Sequence, residues 1–171
     1  MKKVLGVLLA IIMAGIFSTV SAEEKVARLD DEIITKATLE KYVDNFLGKE
    51  YEKMLNSESG LKKLADFYIN RQIILEKAKK TIKPENELLK GHMHGEKEDK
   101  KTENTMYITA FLKQEINDKL KLTKEEMQRY MKQNNIDSKR EAEIKLSNEK
   151  RKKMFGELIA ELRAKHTIEY F

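Results

Sequence analysis

Two histidines stand one residue apart, at His92 and His94, in the only stretch of the sequence that suggests a metal site. Alternate residues of an extended segment point to the same side, so the two imidazoles could share a transition metal. Glu96 and Glu98 are the nearest candidates for further ligands. Without a clear third ligand, we interpret the pair as part of a polar loop, and we predict no metal and no cofactor.

The common catalytic nucleophiles lack their sequence patterns. The chain contains no cysteine, which excludes a catalytic thiolate and a disulfide framework. No serine lies in a G-x-S-x-G elbow, and there is no glycine-rich phosphate-binding loop. Carboxylates are plentiful, but lysines accompany them, a pattern typical of exposed ion pairs. We therefore predict that the protein is not an enzyme.

Methionine and aromatic side chains are the more informative group. Both suit a surface that accepts different apolar segments without strict shape matching, although most such residues belong to ordinary cores. The candidates for a client-binding surface are those on the less strongly apolar helices: Tyr51, Met54, Tyr107, Met127, Tyr130 and Met131.

These side chains must be positioned mainly by helices, because the sequence has one proline and few glycines among many Lys, Glu, Leu and Ala residues. A short strand and turn, with the pair Asp30-Asp31, should open the fold. Thr35 should cap an amphipathic helix that bends at Gly48, and 56–60 should be a loop. The next helix, about 61–80, is apolar on most of its circumference, which predicts a central position.

The second half of the chain begins with a predicted mobile loop at about 84–104. Helical spacing resumes near Tyr107. Thr123 and Glu126 form the pattern of a capping box, and Ser138 should cap a long helix that extends to about 165. A final strand should follow at 167–171, which gives a mainly α fold.

The first 22 residues have the pattern of a secretory signal peptide. Lys2 and Lys3 precede an apolar run from Val4 to Phe17, which is shorter than the roughly 20 residues of a membrane-spanning helix. We expect cleavage after Ala22 and a mature domain of residues 23–171 without a stable membrane anchor. The mature protein should then lie outside the cytoplasm, most simply in a periplasm.

Charge gives no indication of a nucleic-acid partner. Loss of Lys2 and Lys3 would reduce the formal net charge from the +5 of the whole chain to +3. Lysine and glutamate are mixed along the remaining sequence, which favours a solvated helical surface over a phosphate-binding patch.

Four segments in series resemble SurA/PrsA-type extracytoplasmic chaperones. They are VARLDDEIITKATLEKY (26–42), INRQIILEKAKK (69–80), LTKEEMQRYMKQN (122–134) and RKKMFGELIAELRAKHTIEY (151–170). The resemblance implies that the first and last strands pair side by side, Val26 to Leu29 with Thr167 to Tyr170. It also implies that the last helix returns to complete an N-terminal helical lobe.

The chain departs from this family where a parvulin domain normally stands. Asn135 is followed almost at once by the predicted cap Ser138, which leaves no room for the isomerase domain. The resemblance therefore implies an ATP-independent holdase that binds unfolded exported proteins and has no prolyl isomerase activity. The chain could pair or swap as a homodimer to enlarge its surface.

Two other functions stay open on the sequence. A Skp-like holdase is also small, basic and helical, but it needs long helical arms with sustained heptads. An exported helical envelope or adhesion protein would instead bind one defined partner tightly.

Overall fold

The computed structural model describes residues 23–90 and 100–171. This part of the chain is mainly helical and carries a small three-stranded antiparallel sheet. The predicted signal peptide, together with His92, His94, Glu96 and Glu98, lies outside the described residues.

The sheet joins the beginning of the described chain to its end. Strand β1 (Lys25–Leu29) lies between β2 (Glu32–Thr35) and β3 (Ile168–Tyr170). Pairing of the first and last strands is confirmed, with Ala27 opposite Tyr170 and Leu29 opposite Ile168. The prediction of only two paired strands is wrong, because the segment after the Asp30-Asp31 turn folds back on β1 as a third strand.

The first helical region begins and ends close to the prediction but changes its winding. Thr35 caps helix α1 (Lys36–Tyr42) by accepting a hydrogen bond from the Thr38 amide. A π-helical turn, Val43–Leu47, follows and ends at Gly48, whose φ of 94° lies in the left-handed region. The chain then continues as a 3₁₀ helix, Lys49–Asn56, so Gly48 separates two helical segments instead of bending one.

Helix α2 (Glu58–Thr81) occupies the central position that its apolar circumference predicted. It packs against α1, the 3₁₀ helix, β1 and two later helices. The predicted loop at 56–60 is wrong in part, since Ser57 caps α2 by accepting a hydrogen bond from the Gly60 amide. The fully buried Leu64, Ile69 and Ile73 place the main core along this helix.

The region predicted as a mobile loop, about 84–104, is partly helical. Helix α3 is Glu87–Lys90, and helix α4 is Lys100–Leu112, extended by a π-helical turn at Lys113–Asn117. Both α3 and α4 contribute to the core, through Leu89 and Phe111.

The last two helices form a hairpin whose second member returns to the core. Helix α5 (Lys124–Asn134) has the predicted Thr123 and Glu126 capping box, and Ser138 caps the long helix α6 (Lys139–Arg163). Helix α5 packs on α6, and α6 also contacts α2. Ile159 and Leu162 on the last turns of α6 enter the core, which places β3 next to β1.

Candidate functional site

An open groove of about 440 Å³ lies where the N-terminal helical region, α2, α4 and α6 meet. Eight of its lining residues are aliphatic or aromatic, and two are polar without being acidic. The lining is Tyr42, Leu47, Tyr51, Phe67, Asn70, Arg71, Ile74, Ile108, Leu112 and Phe155.

Two of the groove aromatics are unusually exposed for their size. Phe67 on α2 is 41% exposed, and Phe155 on α6 is 38% exposed. Phe46, beside the groove on the π-helical turn, is 40% exposed. Large aromatic side chains left partly in water next to one another indicate a surface for apolar ligands.

The aromatic rings are held by contacts with each other. Tyr51 meets Phe67 edge to face, with ring centroids 6.2 Å apart, and Tyr42 lies 5.6 Å from Phe46. The Tyr42 hydroxyl also donates a hydrogen bond to the Phe67 carbonyl oxygen at 3.3 Å. Partial burial raises the pKa of Tyr42, so its hydroxyl stays a neutral donor at physiological pH. These contacts fix the positions of the aromatic side chains without any ligand.

Two cations lie close to the Phe46 ring. The Arg71 guanidinium carbon is 4.0 Å from the Phe46 ring centroid, and Nη2 of Arg71 donates to Thr105 Oγ1 at 3.1 Å. Partial burial lowers the pKa of Arg71, but an arginine remains charged at neutral pH. The Lys101 Nζ lies 5.0 Å from the centroid of the same ring.

The predicted client-binding residues do not form one surface. Tyr51 lines the groove, and Met54 lies half-buried against the core on the same 3₁₀ helix. Tyr107 is only 9% exposed and belongs to the core, so its side chain is not available to a partner in this structure.

The remaining three predicted residues lie on α5 and do not line the groove. Met127, Tyr130 and Met131 are each half-buried. Tyr130 is held against α6, because its hydroxyl donates to Glu149 Oε1 at 2.5 Å, and that hydrogen bond raises the pKa of Tyr130.

Of the residues that line the groove, sequence reasoning selected only Tyr51 and missed the rest. Phe67 and Phe155 belong to helices whose apolar positions predicted core, and Arg71 resembles any surface arginine. The available signal was the excess of apolar positions on α2, more than one buried stripe requires.

The described residues give no indication of a metal or membrane-spanning site. Between residues 23 and 90 and from 100 onward, no three His, Asp or Glu side chains cluster as metal ligands would. No helix in these two ranges is long and apolar enough to cross a membrane.

Comparison with known proteins adds no assignment: no protein-family model, curated protein or solved structure matches this chain.

Proposed function

We propose that this protein is an ATP-independent holdase that binds apolar segments of unfolded exported proteins. The observation that carries the proposal is the open groove lined by Tyr51, Phe67 and Phe155. The four SurA/PrsA-like segments of the sequence and the predicted signal peptide support the same function and an extracytoplasmic, most simply periplasmic, location.

The groove suits low specificity better than recognition of one defined partner. Its volume lies in the range of small-molecule sites, enough for a few side chains, and it is open rather than enclosed. Among the described lining residues, only Asn70 and Arg71 carry amide or charged side chains, so few hydrogen bonds can select one sequence. Binding should therefore be weak for each segment, about micromolar, and release should follow mass action without nucleotide.

The test is light scattering from an aggregating exported protein mixed with increasing amounts of the purified processed chain. Suppression near equal molar amounts, without ATP and for two unrelated clients, is the expected result. Tight binding to a single partner with no effect on unrelated clients would instead favour the envelope or adhesion protein. A proline-limited refolding reaction should show no acceleration, because we propose no isomerase activity.

A pair of α6 variants assigns the activity to the groove. Phe155→Ser should raise the concentration needed for half suppression by about fivefold, since roughly 1 kcal/mol of apolar contact is lost. Ile144→Ser is the matched control, because Ile144 is 53% exposed on the same helix but does not line the groove. An equal loss of aggregation suppression in both variants would count against the groove as the binding site.

A further inference from the structure

Arg71 differs from the other two half-buried arginines of the described residues, Arg28 and Arg163, in its lack of an acidic partner. Arg28 pairs with Glu169 at 2.6 Å, and Arg163 pairs with Asp66 at 3.0 Å. Within residues 23–90 and 100–171, Arg71 forms no ion pair, and Thr105 Oγ1 is its one hydrogen-bond acceptor. The guanidinium has five N–H donors, so most of them have no acceptor in the described part of the chain.

The position of this cation favours a ligand over a purely structural role. Arg71 lines the groove, and its guanidinium is held in place by the Phe46 ring and the Thr105 hydroxyl. Burial without a counter-charge is unfavourable for a cation, which is why the pKa of Arg71 is lowered. Among the described residues that line the groove none is acidic, which favours a carboxylate from outside as the partner of Arg71.

We propose that the groove binds client segments in which an aspartate or glutamate side chain stands among apolar residues, with Arg71 binding the carboxylate. The inference rests on the proposed holdase function and deepens it by naming the segment that is preferred. A side-chain carboxylate fits better than a chain terminus, because the groove is open and an extended chain can cross it without ending there.

A guanidinium–carboxylate pair surrounded by apolar contacts would hold such a segment in the groove. A guanidinium binds a carboxylate through two parallel N–H···O hydrogen bonds, which are stronger than bonds between neutral groups. The flanking apolar residues of the segment would contact Phe67 and Phe155 and exclude water from the ion pair. Exclusion of water strengthens the charge interaction and reduces its screening by salt.

The experiment compares two labelled peptides of roughly nine apolar residues that differ only by a central aspartate or asparagine. The full-length chain is expressed with its own leader and purified in the form that the cell produces. Fluorescence anisotropy then measures the Kd of each peptide. The processed wild-type protein should bind the aspartate peptide about tenfold more tightly, as expected for a charge-assisted hydrogen bond.

Variants of the chain assign this preference to one side chain. In Arg71→Gln the two Kd values should agree within about twofold, and the asparagine peptide should bind nearly as it does to wild type. Arg71→Lys keeps the charge but loses the planar fork, so part of the preference should remain. Arg140→Gln is the matched control, because Arg140 is exposed at the start of α6 and outside the groove. Circular dichroism checks that each variant is folded.

Each outcome decides one question. Equal binding of both peptides to wild type would overturn the carboxylate inference and leave the holdase proposal standing. A preference that persists in Arg71→Gln would also overturn it, because another group would then bind the carboxylate. If neither peptide binds and no client is protected from aggregation, the proposed function itself fails.

Discussion

At the scale of single residues, Asp30 holds the last strand to the first hairpin. Its backbone has φ = 51°, a left-handed conformation that aspartate tolerates better than most residues. Asp30 Oδ1 accepts a hydrogen bond from the Thr167 amide at 2.8 Å, and His166 Nδ1 lies 2.7 Å from Oδ2. One turn residue therefore fixes the position where the chain enters β3.

These contacts predict a specific pH dependence of stability. The hydrogen bonds from His166 and Thr167 lower the pKa of Asp30 below the ordinary value of 3.8. A carboxylate with a lowered native pKa stabilises the fold above its unfolded pKa, and this contribution is lost as pH falls through the native value. Asp30→Asn should therefore have a lower Tm than wild type at pH 7, and the difference should shrink toward pH 3.

The control for this measurement is Asp44→Asn, which removes an exposed carboxylate that forms no ion pair in the described part of the chain. Its Tm should follow that of wild type at both pH values. A difference between Asp30→Asn and wild type that stays constant from pH 7 to pH 3 would show that Asp30 does not act through its charge.

At the scale of elements, local sequence signals were sufficient wherever the structure depends on neighbouring residues. Thr35, the Thr123 and Glu126 pair, and Ser138 were predictable as caps, because each satisfies amides within its own first turn. Ser57 was missed because Gly60, three residues on, favoured a loop. The structure shows why residue 60 is a glycine: the Met54 carbonyl of the 3₁₀ helix lies too close to leave room for a Cβ.

Exposure of the groove residues could not be predicted from helical periodicity. Ile69 on α2 is fully buried while Phe67, two positions earlier, is 41% exposed. Periodicity identifies which residues share a face, but the neighbours that cover each face come from distant parts of the chain. Phe155, for example, lies beside Phe67 only because α6 returns across α2.

Two helical glycines give opposite predictions for the same substitution. A Cβ at Gly60 would lie 2.1 Å from the Met54 carbonyl oxygen, whereas nothing lies within 4 Å of a Cβ at Gly156. Gly60→Ala should therefore lower the free energy of unfolding, by about 2 kcal/mol, because the 3₁₀ helix must move away from α2. Gly156→Ala should raise it by about 0.5–1 kcal/mol through helix propensity alone.

Urea denaturation of both glycine variants makes the comparison, with each serving as the control for the other. If Gly60→Ala stabilised the protein as much as Gly156→Ala does, the close approach of the Met54 carbonyl to the first turn of α2 would be contradicted. Because Tyr51 lies on the same 3₁₀ helix, Gly60→Ala should also weaken suppression of client aggregation.

At the scale of the whole molecule, export of the chain is a separate prediction. The signal-peptide pattern of residues 1–22 predicts that the processed protein begins at Glu23. Expression with the native leader in a bacterium, followed by intact mass measurement of the envelope fraction, checks this. If only the full-length mass were found, and only in the cytoplasmic fraction, the prediction would be contradicted. Ala22→Asp removes the small residue before the predicted cleavage site, so this variant should remain as the uncleaved precursor.

Arg163, at the end of α6, connects the C-terminal strand β3 to the central helix α2. Its Nη1 donates to Asn70 Oδ1 at 2.8 Å and lies 3.0 Å from Asp66 Oδ1, both on α2. Its Nη2 donates to the Tyr170 hydroxyl at 2.7 Å, and that hydroxyl donates to Asp66. Helix α6, the strand β3 that follows it and the distant helix α2 therefore meet at one guanidinium.

Loss of the Arg163 contacts should lower the stability of the whole fold. Arg163→Met should lower the free energy of unfolding by about 1–2 kcal/mol, a range reduced because Asp66 is partly exposed to solvent. Lys165→Met is the control, since the solvent-exposed pair of Lys165 and Glu161 should contribute little to stability. Hydrogen exchange at the Asp30 amide, which donates to the Thr167 carbonyl, should quicken in Arg163→Met alone, because β3 loses its anchor to α2. Unchanged exchange there would mean that β1 holds β3 without help from Arg163.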